Sequence, residues 1–458
     1  MVVPASTSPS RPAGPIHLIV NPASGSRKAP EFIENHVEPL LHHLGLKYDL
    51  HTTDTEGDGS RIGQSLQKAR QADAPSEKGG VWTLIVAGGD GTAHELIEGI
   101  LSGETTHSGA RDIGRWELVI LPLGTANALF HSLFSVPGQS LPPIPPHIQG
   151  FFDQSSTPPE IIRDLTSLVL ALSSTTRPRN LPITLTSLVG PDPASSSGTP
   201  NPTPTPTPIP SHIVLSTSLH AAILKSSEVL RSSHPGVERF KFAAQENVGV
   251  FFSAKVRLTK TTQGKVEQYR PSSRAFGAPF TADISDEGDV VLEGPFAYFL
   301  STTTTPRLEA TFVINPTLET NPPESPSMDI VIMRPMRDPR VSNAAEEGGD
   351  KAASEAWNPR PWEVLGQAYN NGAHINMLYN DDGSSSVADS RGEAHDGENV
   401  VVETFRCGGF EWTPSDPLHG PSHVVCADGS LHDIPAGGSA KVSLLEDVPE
   451  GHGFYVWG

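Results

Sequence analysis

The stretch that decides the fold runs from Trp82 to Thr92 and reads WTLIVAGGDGT. Its first half is a short apolar run typical of a buried strand, and the residues after Thr92 repeat apolar side chains at helical spacing as far as Leu101. Glycine between strand and helix lets a phosphate approach the backbone, because no Cβ intervenes. An acid such as Asp90 would repel that phosphate unless it serves the reaction, either by taking a proton from an attacking hydroxyl or by ordering Mg²⁺.

Two more strands end in small-residue turns of the same kind. Ile16 to Val20 runs into NPASG at 21–25, and Glu117 to Leu121 runs into PLGTAN at 122–127. Ligands of parallel sheets bind outside the carboxyl ends of the strands, so we expect the three turns to converge on one anion site at helix N-termini. The pattern differs from the Lys-bearing P-loop, since no GxxxxGK[ST] follows any strand.

The pattern of predicted helices and strands changes near residue 150, which predicts two domains. Strands and amphipathic helices alternate in residues 15–150, which predicts an α/β domain with a Rossmann-like parallel sheet. Short strand-like runs separated by turn residues follow in 151–458, which predicts an antiparallel β-sandwich. Residues 1–14 are expected to be a disordered arm.

Three insertions in the second domain are expected to be disordered, in line with a composition that includes 42 glycines and 44 prolines. Residues 191–210 are rich in Thr-Pro repeats and predict an extended spacer. Residues 341–358 are small and polar, and residues 380–399 carry six acids against one arginine.

Composition excludes several classes of function. The net charge of −20 argues against binding nucleic acid through bulk charge, so a phosphate site must be local. Two cysteines rule out a disulfide framework and a multi-cysteine zinc module. No apolar run reaches the roughly 18 residues of a membrane span, and the first 14 residues lack the apolar core of a signal peptide. We therefore expect a cytoplasmic protein.

The three motifs NPASG, GGDGT (with Glu95 in the next helix) and PLGTAN resemble the lipid-kinase catalytic domain of diacylglycerol, sphingosine and ceramide kinases. The arrangement is also similar to NAD kinases and phosphofructokinases. The resemblance implies an ATP-dependent kinase that uses Mg²⁺ and phosphorylates a primary hydroxyl of a sphingoid base, ceramide or diacylglycerol. It implies a site in a cleft between the two domains, Asp90 as general base, and transient peripheral contact with a membrane.

The resemblance also implies the residues that bind the nucleotide. In the first domain they are Asn21, Ser24, Gly25, Thr53 (with Thr52 an equal candidate), Gly88, Gly89, Gly91, Thr92, Gly124, Thr125 and Asn127. In the second domain, SEVLR at 227–231 and ERF at 238–240 are similar to a sphingosine kinase stretch whose arginines reach the phosphates, which implies Arg231 and Arg239. Asp428 and Gly429 resemble a turn that completes the site.

Departures from the family pattern leave alternatives open. Sphingosine kinases hold the lipid head group with two carboxylates, whose positions here are Ala222 and Leu224. Neither can pair with an ammonium, so sphingosine is in doubt unless Glu228 substitutes. Ser430 replaces an acid and Ala126 a glycine. The alternatives are a catalytically decayed lipid-binding or regulatory protein, and a small-molecule kinase similar to NAD kinases.

Overall fold

The computed structural model describes residues 12, 14–72, 80–103, 106–107, 110–134, 142–173, 176–191, 207–234, 238–284, 289–388 and 399–458. The chain forms two compact units. The first contains residues up to Pro182 together with 308–310 and 445–458, and the second contains 183–307 and 311–444. The expected boundary near residue 150 is therefore too early, and the chain's last residues return to the first unit.

The elements as far as Pro182, in chain order, are β1 Ile16–Val20, α1 Ala29–Phe32, a π-helical turn Ile33–Val37, α2 Glu38–His43, β2 Asp49–Thr52, α3 Asp58–Ala72, β3 Val81–Gly88, α4 Asp90–Ser102, β4 Thr106–His107, β5 Ala110–Arg111, β6 Arg115–Pro122, α5 Ala128–Leu133, α6 Pro146–Ser155, α7 Pro159–Asp164, α8 Thr166–Leu172 and β7 Arg179–Asn180.

The elements from Ile183 onward are β8 Thr184–Val189, β9 Ile209–Ser211, β10 Val214–Thr217, α9 Ser218–Leu230, α10 Glu238–Asn247, β11 Ala254–Thr259, β12 Glu267–Arg270, β13 Ala275–Gly277, β14 Asp283–Ile284, β15 Val290–Glu293, β16 Tyr298–Thr302, α11 Thr317–Thr320, β17 Met328–Met333, α12 Pro339–Trp357, α13 Pro359–Tyr369, β18 Met377–Tyr379, β19 Ser385–Val387, β20 Glu403–Cys407, β21 Gly409–Pro414, β22 Val424–Ala427, β23 Ser430–Asp433, β24 Ser439–Leu444 and β25 Gly453–Val456; short 3₁₀ turns lie at 335–337, 373–376 and 420–423.

The first unit is built on a six-stranded sheet in the order β2-β1-β3-β6-β25-β7. All neighbouring strands run parallel except β25 and β7. Apolar side chains fill its central strands: Leu18 and Leu84, for example, are fully buried. The predicted α/β domain with a parallel sheet is confirmed, and the parallel strands bring the ends of β1, β3 and β6 to one edge.

Strand β25 was not predicted, because the sequence assigned 453–456 to the β-rich domain. It pairs in parallel with β6, with Gly453 opposite Arg115 and Val456 opposite Leu118. Ser167 fastens this strand: its hydroxyl donates to the Trp457 carbonyl at 2.6 Å and accepts the Ile120 N–H at 3.1 Å. A partner more than 300 residues away leaves no local signal in a four-residue strand.

The second unit is a sandwich of two antiparallel sheets, ordered β13-β12-β20-β17-β16-β10-β22-β23 and β14-β15-β11-β21-β24-β8-β9. Their inner faces share one hydrophobic core. Phe299 of the first sheet, for instance, packs with ring centroids 5.0 Å from Phe410 and 5.3 Å from Trp412 of the second. The predicted β-rich antiparallel domain is confirmed.

The expectation of disorder at 341–358 is wrong, since these residues lie in α12, which kinks at Gly349 (φ 69°). Asp338 caps the helix by accepting the Arg340 N–H at 3.0 Å. The segment 380–399 is ordered where it is described, because Ser385–Val387 forms β19 against β18; its residues 389–398 lie outside the described part, as do 192–206 of the proline-rich stretch and most of the N-terminal arm.

Candidate active site

Three glycine turns meet at the carboxyl edge of the parallel sheet. A Cβ on Gly124 would lie 2.3 Å from the Cα of Gly89, and a Cβ on Gly25 would lie 2.5 Å from the Leu123 carbonyl oxygen. Backbones pass this closely only where side chains are absent. The predicted convergence of the three turns in one place is thus confirmed.

Hydrogen bonds join the turns to one another. The Asn21 side-chain amide donates to the Thr92 hydroxyl at 2.9 Å, which links the first turn to the second. The Leu123 N–H donates to the Gly88 carbonyl at 3.2 Å, which links the third turn to the second. The three turns are thus joined by hydrogen bonds at this edge of the sheet.

Asn127 shapes the third turn from the left-handed region (φ 51°). Its side-chain oxygen accepts the Gly124 N–H at 2.8 Å, and its amide donates to the carbonyls of Pro122 and Gly124, both at 3.1 Å. Both amide N–H donors therefore have acceptors within the turn. The contacts give this side chain a structural task, and its predicted nucleotide contact stays a prediction.

Asp90 is half-buried at the centre of the three turns. Its carboxylate accepts the N–H of Ala128 at 2.8 Å and that of Leu129 at 3.1 Å, the first two residues of α5. A helix leaves these donors without intrahelical acceptors, and a negative charge is favourable there. Asp90 is thereby held in one orientation at the site.

Part of the rim is open. Gly25, Gly91 and Thr125 are exposed, and a Cβ built on Gly91 meets nothing within 4 Å. Gly91 lies in the first turn of α4, where N–H groups point out of the helix end. This space, next to N–H donors and Asp90, is of the kind that accepts a phosphate.

Glu95 entered the sequence analysis only as part of the motif. In the structure its side chain accepts backbone hydrogen bonds at the beginning of α3. Its carboxylate accepts the N–H of Gly57 at 3.2 Å and that of Gly59 at 2.9 Å, at the beginning of α3. Two acids of α4, Asp90 and Glu95, therefore hold the N-termini of the helices on either side.

The β2–α3 connection discriminates between two candidate threonines. Thr53 is buried, at 8% exposure, and its N–H donates to the Val20 carbonyl. Thr52 is exposed and lines a polar cavity of about 290 Å³. Of the pair, Thr52 is the hydroxyl that a ligand can reach. The other lining residues are His51, Asp54, Asp58, Arg61, Ile62 and Ser65.

Arg27 and Lys28 are cations that the sequence reasoning missed. They lie two and three residues after Gly25 and are exposed, and the Arg27 N–H donates to the Ser24 carbonyl at 2.8 Å. Two basic residues within three positions of the glycine were the available signal. In a chain of net charge −20, they put positive charge beside the first turn.

The remaining candidates lie in the second unit. Arg231 ends α9 and pairs with Glu228 at 2.7 Å, with both side chains largely exposed (62% and 49%). Arg239 lies in the first turn of α10, with its guanidinium 4.5 Å from the Phe240 ring centroid. Their roles at a phosphate remain predictions.

Asp428 has a clear structural task. It is left-handed (φ 48°), as is Gly429 (φ 99°), and its carboxylate accepts the backbone N–H groups of 212, 213 and 214 at 2.8–2.9 Å. The ring of His212 lies 2.7 Å away. The side chain thereby ties the β22–β23 turn to residues 212–214, and its predicted nucleotide contact stays a prediction.

Ala222 and Leu224, at the two positions where the resemblance places the acids of sphingosine kinases, are apolar residues with apolar neighbours. Ala222 is buried in the sandwich core, and Leu224 packs with Val424 and Cys426. One turn before Leu224, the ring of His220 lies 2.7 Å from the Ser216 hydroxyl. Burial lowers the pKa of His220 to about 4, so the ring is neutral near pH 7.

Comparison with known proteins supports this reading of the first unit. Residues 15–149 match the family model of the diacylglycerol kinase catalytic domain. Human mitochondrial acylglycerol kinase is 30% identical over 126 residues, which are 27% of this chain and 26% of the relative. Human sphingosine kinase 1 is 28% identical over 117 residues, 25% of this chain and 27% of the relative.

The chain thus matches about a quarter of the length of these curated relatives. A solved diacylglycerol kinase structure from Bacillus anthracis str. Sterne aligns over 96% of both chains, with 11% identity and a TM-score of 0.43. The sequence matches fall on the unit that carries the three turns and Asp90. Residues 15–149 are therefore similar to the diacylglycerol kinase catalytic domain.

Proposed function

We propose that this chain transfers the γ-phosphoryl group of ATP to the primary hydroxyl of an uncharged lipid, with Asp90 as the general base. The observation that carries the proposal is the meeting of three glycine turns around an oriented carboxylate. The match of residues 15–149 to the model of the diacylglycerol kinase catalytic domain supports the reaction class.

Asp90 supplies the carboxylate that is proposed to accept the proton. The N–H groups of Ala128 and Leu129 hold this carboxylate in a fixed orientation, which a general base requires. As the lipid hydroxyl oxygen attacks the γ-phosphorus, its proton passes to Asp90 and the bond to the β-phosphate oxygen breaks, which releases ADP. No covalent phosphoenzyme is needed.

Backbone N–H groups around Gly88, Gly89 and Gly91 would meet the charge that develops on the phosphoryl oxygens, because such donors stabilise it without reorganising. Arg27, Lys28, Arg231 and Arg239 are the cations proposed to assist. Oxygen ligands such as the Asp90 carboxylate suit Mg²⁺, which would arrive with ATP and supply positive charge at the β- and γ-phosphates.

The lipid is proposed to have an uncharged head group, as in an acylglycerol or a ceramide. A sphingoid ammonium needs a carboxylate partner, and Ala222 and Leu224 provide none. His220, one turn before Leu224, is a neutral hydrogen-bonding group at physiological pH. We propose a cytoplasmic location with peripheral access to the lipid, because an acylglycerol or ceramide substrate lies in a membrane. As a separate finding, no helix within the described residues is both long and apolar enough to cross a membrane.

The proposal is tested with radiolabelled ATP and a panel of monoacylglycerol, diacylglycerol, ceramide and sphingosine in mixed micelles. We expect label in a neutral lipid and not in sphingosine, and loss of the label in Asp90→Asn. Preferred labelling of sphingosine would overturn the head-group assignment. ATP binding without labelling of any lipid would favour the decayed-kinase alternative.

A further inference from the structure

Trp362 differs from every other tryptophan of the chain. Five of the six tryptophans are at most 6% exposed, whereas Trp362 is 40% exposed. Tyr369 is likewise the exposed tyrosine, at 48%, and both lie in α13. The two side chains that combine an apolar ring with a polar tip thus reach solvent on the same helix.

The two aromatic residues share one face of α13. Trp362, Leu365, Gly366 and Tyr369 follow the spacing i, i+3, i+4, i+7, which places them in one stripe. Gly366 is exposed and Leu365 is half-buried, and none of the four is charged. Phe312 extends the stripe, because its ring lies 5.0 Å from that of Tyr369. We call these five residues the aromatic face.

The helix is fixed from its other side. Val364 and Ala368 are buried. Arg360 is fully buried and donates to the Asp338 carboxylate at 2.9 Å and to the Gly383 carbonyl at 2.9 Å. A buried, multiply bonded guanidinium holds α13 in one position. The aromatic face is therefore presented on a rigid support.

We propose that the aromatic face docks on an electrically neutral lipid surface. Trp and Tyr are the side chains that prefer the boundary between water and acyl chains. The exposed charges of α12, which precedes α13 in the chain, are four acids, Glu346, Glu347, Asp350 and Glu355, against the one cation Lys351, and the chain carries −20 overall. Anionic lipid would be repelled, so zwitterionic lipid is the occupant that the charges favour. This inference rests on the proposed function, which requires a lipid substrate.

Docking is measured without ATP, using the full chain and phosphatidylcholine vesicles that contain bromine- or nitroxide-labelled lipid. Because the other five tryptophans are buried, we expect quenching and a blue shift of the emission from Trp362. In co-sedimentation, Trp362→Ala and Tyr369→Ala should each weaken vesicle binding about tenfold. Leu418→Ala is the matched control, since Leu418 is 91% exposed but lies outside the aromatic face.

Turnover separates docking from catalysis. Trp362→Ala should lose activity on lipid embedded in vesicles and keep it on lipid in mixed micelles. Unchanged emission on vesicle addition, vesicle binding that requires anionic lipid, or a dimer that Trp362→Ala dissociates would each overturn the docking proposal. Quenching in a chain that phosphorylates no lipid would leave docking standing and remove the kinase proposal.

Discussion

The carboxylate of Asp90 accepts the backbone N–H of Ala128 at 2.8 Å, which ties the acid of the second glycine turn to the helix that follows the third. One side chain thus organises the site and stands at its centre. The fold contribution and the proposed catalytic contribution of Asp90 can be separated by choosing the substitution.

Asp90→Asn keeps an oxygen that can accept an N–H of α5, whereas Asp90→Ala keeps none. We expect both variants to lose turnover by about 10²-fold or more, the usual contribution of a general base. We expect only the alanine variant to lose about 1 kcal/mol of unfolding free energy, as when a helix cap is removed. Denaturant unfolding beside lipid labelling checks both; an active asparagine variant would reject Asp90 as the base.

Gly91 and Gly124 should respond differently to alanine. A methyl group on Gly91 meets nothing within 4 Å, whereas one on Gly124 would lie 2.3 Å from the Gly89 Cα. Gly91→Ala should therefore fold normally but bind ATP weakly, since the methyl group enters the proposed phosphate space. Gly124→Ala should lower the melting temperature. Normal ATP binding by a folded Gly91→Ala would place the phosphate elsewhere.

Glu95→Ala should raise the KM for ATP more than it lowers kcat. The substitution releases the N–H groups of Gly57 and Gly59, and with them the connection that carries the exposed Thr52. Glu95→Gln retains an acceptor and should recover most of the affinity. An equal loss of kcat in both variants, with KM unchanged, would contradict a purely positioning role.

Arg231→Ala should reduce turnover with a stability change of at most about 0.5 kcal/mol, because exposed ion pairs contribute little. Lys255→Ala is the matched control: Lys255 forms an exposed pair with Glu293 in the same unit, at 3.1 Å. Steady-state kinetics and thermal unfolding of the two variants give the comparison. Identical kinetics would remove Arg231 from the proposed phosphate site.

Acid should destabilise the second unit through His374. Burial lowers its pKa to about 4, from an ordinary value of 6.5, and its ring lies 3.0 Å from the Ile314 carbonyl oxygen. The unfolded chain binds the proton more tightly, so this contribution is complete above pH 6.5 and falls as pH drops toward 4. The loss is on the order of 3 kcal/mol. His374→Gln should flatten the unfolding free energy across this range; an unchanged slope would contradict it.

The position of the candidate site could be predicted from the sequence, but the contacts of its acids could not. The close approach of Gly25, Gly89 and Gly124 could be predicted, because each glycine follows a strand and the carboxyl ends of parallel strands lie at the same edge of a sheet. The capping contacts of Asp90 and Glu95 were out of reach, because their partners are backbone donors on other helices.

The errors have physical causes of the same kind. Helix α12 consists mainly of small and polar residues, which is why its sequence suggested disorder. The buried ion pair of Asp338 and Arg360 lies at its beginning and helps to order it. The roles of single side chains were harder to predict than helices and strands. Asn127 and Asp428 match motif positions, but their side chains accept backbone N–H groups, from Gly124 and Ile213 respectively. A motif predicts the position of a residue in the fold. It does not predict whether the side chain makes hydrogen bonds within the protein or contacts a ligand.

Strand β25 sets an order on how the protein can assemble. Residues 115–118 pair with β3 on one side and with 453–456 on the other, so nearly the whole polypeptide must be synthesised before the parallel sheet can close. Until then β6 has an unpaired edge, and β7 lacks the strand beside which it lies. The first unit thus begins to form first during synthesis and is completed last.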